Sequence, residues 1–216
     1  MFLTILEKFK QLFKKDGRKI KKISYFGFAG ADEADPLYKE AYECAKFLAE
    51  KGYVTVNGGG PGTMKATTKG AQAVHGKTIG VTFYPKDMAN FEGRDKTNIV
   101  DEEIKMENYL KRTLKLLEMG DVYVFFKGGT GTISEFGMAW GLARLYFGSH
   151  KPLVLYGDFW NNIIRSFNEN MRIRPEDSQV YKVVNSPQEA YEAILSFENS
   201  IKGKEHMSPE EKAFQL

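Results

Sequence analysis

Residues 127–135 read KGGTGTISE, with Gly128, Gly129, Thr130, Gly131 and Thr132 crowded ahead of Glu135. Glycine lets a backbone bend sharply and approach a ligand closely. Threonine hydroxyls add donors, and a helix beginning here would offer unpaired N–H groups with a partial positive charge. Such a stretch can close a strand-to-helix connection, cradle a phosphate, or contribute Glu135 to a catalytic site. Two further glycine turns accompany it, GFAG at 27–30 and GGGPGT at 58–63, and each follows a short apolar run. One such turn reads equally well as a plain connection. Three at strand ends along one sheet edge favour a phosphate site, because that edge of a parallel sheet is where ligands bind.

The familiar nucleotide motifs do not fit. GAQAVHGKT (70–78) imitates a P-loop, but five residues separate Gly70 from Gly76 where four are required, and it precedes a strand-like run. After Gly58 and Gly60 the third position of G-x-G-x-x-G is Thr63. ATP hydrolysis and dinucleotide redox chemistry therefore lack their usual support. With one cysteine, Cys44, and three scattered histidines (His75, His150, His206) the chain offers neither a disulfide framework nor a zinc pattern. The expectation is no metal and no cofactor.

The elements that must position these turns alternate along the chain. KISYFGF, YVTVN, KTIGVTFY, DVYVFF, KPLVLYG and QVYKVV read as strands. Between them DPLYKEAYECAKFLAEKG, KATTKGAQAVH, ISEFGMAWGLARLYFG, DFWNNIIRSFNENM and SPQEAYEAILSFENS read as helices, and DEEIKMENYLKRTLKLLEMG (101–120) as one long helix. Leu37, Ala41, Cys44, Ala45 and Leu48 share one helical face, so Cys44 reads as core rather than nucleophile. Strands alternating with helices predict an α/β, Rossmann-like, doubly wound parallel sheet with helices on both faces. The expected organisation is a basic helix and linker over 1–22, one nucleotide-binding domain over 23–200, and a polar tail over 201–216.

Charge is uneven. Residues 1–22 hold eight Lys/Arg against Glu7 and Asp16, and their +6 within a net +3 leaves the rest at −3. A mildly acidic body argues against a broad nucleic-acid footprint. Phe2, Ile5, Leu6, Phe9, Leu12 and Phe13 fall at helical spacing among lysines, predicting an N-terminal amphipathic helix over residues 1–15. Three readings stand for it: packing on the domain or a partner subunit, peripheral contact with an anionic membrane surface, or a tail. No run of 18 apolar residues exists, and Glu7, Lys8 and Lys10 interrupt any signal-peptide core. A cytoplasmic protein is the default expectation.

NGGGPGTMKATTKGA resembles the GGGxxGxM motif of the LONELY GUY family, and KGGTGTISE resembles its PGGxGTxxE motif. The resemblance runs from about Ile23 to Phe197, with the motifs in family order. It implies a phosphoribohydrolase that cleaves the N-glycosidic bond of a nucleoside 5′-monophosphate, such as AMP or a cytokinin ribotide, and a homodimer with sites near the subunit interface. Carried over by motif, Gly128, Gly129, Thr130, Gly131 and Thr132 hold the 5′-phosphate, while Gly59, Gly60 and Thr63 shape the neighbouring wall. Glu135 matches the glutamate of the second motif, and Arg112 the arginine of the family's RK pair. Breaking the bond builds an oxocarbenium-like ribose, which a nearby carboxylate stabilises while orienting a water. The plainer readings are a helix-dipole carboxylate for Glu135 and a solvated arginine for Arg112. Lys127 stands where relatives carry proline, Thr113 where they carry lysine, the histidine usual near that pair is missing, and the first loop, GFAGADEAD, lacks the serine-rich turn. The alternative is a nucleotide or cofactor carrier without turnover, resembling molybdenum-cofactor carriers.

Overall fold

A computed structural model describes residues 19–84 and 94–201. The expected N-terminal helix, most of the polar stretch after residue 84 and the tail from residue 202 lie outside the described residues. The elements run β1 (Lys22–Phe26), α1 (Pro36–Glu50), β2 (Val54–Asn57), α2 (Thr63–Gln72), β3 (Thr78–Phe83), β4 (Glu102–Met106), α3 (Tyr109–Met119), β5 (Val122–Phe125), α4 (Thr130–Leu145), β6 (Leu153–Tyr156), α5 (Phe159–Asn170), a 3-10 turn (Pro175–Val180), β7 (Tyr181–Val184) and α6 (Pro187–Ile201).

All seven strands pair in parallel in the order β4-β3-β2-β1-β5-β6-β7. The chain winds outward from β1 to β4, and α3 then returns it to β5 on the other side of β1. Because parallel crossovers keep one hand, reversing direction moves the helices to the opposite face. Tyr25, Val124 and Val154 pack with Cys44, Leu48 and Ile194 on the face of α1, α2 and α6. Phe26, Phe125 and Leu155 pack with Leu116, Phe136 and Trp160 on the face of α3, α4 and α5. Central strands buried on both faces explain why DVYVFF and KPLVLYG are continuous apolar runs rather than alternating ones. Asp35 starts α1 by accepting the Leu37 N–H at 2.9 Å ahead of Pro36.

One expectation fails. The stretch 101–120 is not a single helix: Glu102–Met106 is the edge strand β4, registered on Ile79–Phe83 of β3, and the helix begins only at Tyr109. Glu, Lys and Met are good helix formers, so local propensity pointed the wrong way. Pairing with β3 overrides it, and a charged edge strand is a common way of blocking further pairing. The readable signal was Asn108, whose side chain accepts the Lys111 N–H at 2.8 Å and caps α3.

Candidate functional site

The three glycine turns meet at the carboxyl ends of β1, β2 and β5, where the winding reverses and a crevice opens. They lock one another. The Phe28 N–H donates to Lys127 O at 3.0 Å, while Thr63 donates to Phe28 O from both its N–H and its hydroxyl at 3.0 Å. Gly62 has φ +62° and no room for a side chain, since a Cβ there would lie 2.4 Å from the carbonyl oxygens of Phe28 and Ala29. Only glycine meets both conditions.

A cavity of about 330 Å³ opens beside these turns, lined on one side by Gly129, Thr130, Gly131, Thr132 and Glu135. Gly129 begins α4 with no side-chain cap, and the first intrahelical bond is Ile133 N–H to Gly129 O at 3.0 Å. The N–H groups just before it have no helical acceptor and stand at the positive end of a 16-residue helix, where the local field favours negative charge. Gly128 packs behind this turn, where a Cβ would meet Thr132 Oγ1 at 2.1 Å.

Arg112 and Glu135 face each other inside the cavity, each 7% exposed. The Arg112 guanidinium donates to Val81 O at 3.0 Å from Nε and to Gly58 O at 3.2 Å from Nη2, leaving Nη1 3.9 Å from Glu135 Oε1. That separation is an ion pair without a direct hydrogen bond. Burial pushes the Glu135 carboxyl up to about 7 against the opposing pull of Arg112. Burial also lowers the Arg112 value, but a guanidinium stays charged. The pair is thus a fixed cation beside a carboxyl poised near neutrality. Such a group can hold or release a proton at working pH.

The remaining expected residues sit differently. Gly59, Gly60 and Thr63 lie outside the lining: Gly59 O accepts Arg94 Nη1 at 3.1 Å, Gly60 O accepts Asn98 Nδ2 at 2.8 Å, and Thr63 holds Phe28. From the same turn, Gly58 and Met64 do line it. Sequence reading passed over Gly58, Tyr109 and Phe28. For Gly58 and Phe28 the signal was present, in the GGG run and in the GFAG turn; for Tyr109 no pattern distinguished it from core aromatics. Lys127 Nζ lies 5.8 Å over the Phe159 ring, and the residue is not part of the lining. Lys127→Ala is therefore expected to change the affinity for a phosphate ligand by less than about threefold, as an exposed cation–π contact is worth little; titration calorimetry checks it.

Among the described residues no group of three or more His, Cys, Asp or Glu is placed to hold a metal, and no helix is long and apolar enough to cross a membrane. Residues 21–189 match the model of the SLOG cluster4 family. The chain belongs to the SLOG cluster4 family. An uncharacterised protein of Archaeoglobus fulgidus is 31% identical over 137 residues, covering 63% of this chain and 86% of the relative. Among solved structures, a molybdenum cofactor binding protein from Rippkaea orientalis has a TM-score of 0.63 at 23% identity, covering 83% of this chain and 98% of its own. The Moco carrier protein of Chlamydomonas reinhardtii follows with 0.58 at 22%, covering 83% and 99%. At these identities the likeness is one of fold, and this SLOG member shares with them a Rossmann-like architecture.

Proposed function

We propose that this SLOG-family protein is a phosphoribohydrolase of the LONELY GUY type acting on a nucleoside 5′-monophosphate. The observation that carries this reading is Glu135: a buried carboxyl poised near neutrality, opposite Arg112 and one turn from the open N-terminus of α4. The 5′-phosphate sits on the N–H groups and hydroxyls of residues 129–132, with Gly128 packed behind them, where charge-assisted bonds are strong. Gly59, Gly60 and Thr63 act indirectly, by holding the turn that presents Gly58 and the loop that presents Phe28. Water adds to the ribose anomeric carbon as the N-glycosidic bond breaks; the bonding pair leaves with the base, which takes up a proton. Ionised Glu135 stabilises the oxocarbenium-like ribose and accepts the water's proton. Arg112 keeps that carboxylate available beside a bound phosphate dianion. Incubating the protein with a panel of nucleoside monophosphates and assaying free base and ribose 5-phosphate tests this. Absence of base release across the panel sinks it.

A second reading, binding without turnover, draws support from the molybdenum cofactor proteins of similar fold. It expects saturable ligand binding with no product, and indifference of that binding to Glu135→Ala.

The protein is also proposed to be a homodimer. On α4, Ile133 (57%) and Leu145 (76%) are exposed and in line with Gly137 and Gly141, at which a side chain would meet nothing within 4 Å. An apolar stripe left in water on the outer side of a helix calls for cover. Gly141→Arg is expected to convert a sedimenting dimer to monomer while leaving thermal unfolding cooperative; a monomeric wild type at micromolar concentration rejects the proposal.

A further inference from the structure

Phe28 is the unusual residue of the cavity. It is 43% exposed, yet its backbone is held on both sides by Lys127 and Thr63. Its ring folds over Gly30, where a Cβ would come within 2.7 Å of Cζ, so a side chain there would push the ring from its place. A large apolar ring left in water on a rigid loop, at the mouth of a cavity with a phosphate anchor, has one face free for a planar partner. The described lining of the cavity contains no Asn, Gln, His or Asp; of its two charged groups, Arg112 is bound to Val81 O and Gly58 O, and Glu135 lies opposite it, 3.9 Å away. Reading the edge of a base needs placed donors and acceptors of the kind amides supply. The face of a base needs only a ring.

We propose that Phe28 is a stacking platform that recognises the base of the bound nucleotide by its face, so that discrimination follows stacking area rather than the edge pattern. This rests on the reading of residues 129–132 as the phosphate anchor. It makes the ligand a phosphorylated riboside carrying any sufficiently broad planar base. The departure of the GFAGADEAD loop from the family's serine-rich turn is then a change of base recognition, leaving the anchor untouched.

The test compares AMP, GMP, IMP, CMP, UMP and base-free ribose 5-phosphate by calorimetry on wild type, Phe28→Ala and Phe28→Trp. In wild type the three purine nucleotides are expected to bind within about fivefold of one another and the pyrimidines more weakly, as their smaller rings stack less. Phe28→Ala should lower AMP affinity by roughly ten- to hundredfold, toward that of ribose 5-phosphate. Its ribose 5-phosphate affinity stays within about twofold of wild type, which also reports an intact fold, since that ligand uses only the anchor. Phe28→Trp restores AMP binding. If AMP affinity ignores Phe28→Ala while both ligands bind, or falls in parallel with that of ribose 5-phosphate, the platform is wrong and the anchor stands. If neither ligand binds wild type, the anchor reading fails and takes the platform with it.

Discussion

Glu135→Gln is expected to lower turnover of a nucleoside monophosphate by about 10²–10⁴, the range associated with loss of a positioned acid–base group, while leaving substrate affinity within about threefold. The amide fills the same space but can neither accept the water's proton nor balance the ribose cation. In the wild type kcat/KM should fall as pH drops below about 7, because the ionised form does the work and burial has raised its pKa to that value. The same shift makes a stability prediction of definite sign. Unfolded, the carboxyl returns to about 4.3. The folded state therefore binds the proton more tightly, and the carboxyl costs stability progressively as pH rises from about 4.5 through 7. Above that range the cost is complete, on the order of 3 kcal/mol. Glu135→Gln removes it, so the variant should melt several degrees higher than wild type at pH 8 and at a similar temperature at pH 4.5. A variant that loses activity and gains alkaline stability is what a strained site residue produces. A carboxylate that served only the helix dipole would lose stability on replacement at pH 8. Scanning calorimetry across that pH range distinguishes the two.

The second large effect belongs to a residue with no side chain. A Cβ on Gly58 would fall 1.5 Å from Arg112 Nη2 and 2.5 Å from Cζ, so Gly58→Ala must expel the guanidinium from its seat. Elsewhere an arginine tip moves cheaply, but this one is buried, bound to Val81 O and Gly58 O, and paired with Glu135. Expelling it leaves the buried Val81 and Gly58 carbonyls without that donor, at about 1–3 kcal/mol each. The expected result is a destabilisation of that order measured by denaturant titration. Glu135, deprived of its cation, should titrate well above its wild-type value, carrying the acid limb of the pH–rate profile upward. A double-mutant cycle supplies the decisive check: once Arg112→Ala has emptied the seat, adding Gly58→Ala should cost less than about 0.5 kcal/mol more. Additive losses would mean that Gly58 matters for some reason other than Arg112.

Both predictions concern contacts across long stretches of chain, and this separates what was legible from what was not. The alternation of apolar runs and helical patterns determined a parallel, doubly wound sheet, since period and turn residues are local properties. The glycine turns announced themselves for the same reason, with Glu135 three residues beyond Thr132. Local reasoning failed at Glu102–Met106, where helix-forming residues are held as a strand by hydrogen bonds to β3. It marked the GFAG turn but not the setting of the Phe28 ring, which Gly30, Thr63 and Lys127 fix beside the cavity. By itself the sequence determined which residues could do chemistry. Only the tertiary structure decided their charge state and access, because Arg112 takes its acceptors from Val81 and Gly58, and Glu135 its burial and its cation from separate elements. Desolvation and Coulomb attraction depend on distance in space, which spacing along the chain does not encode.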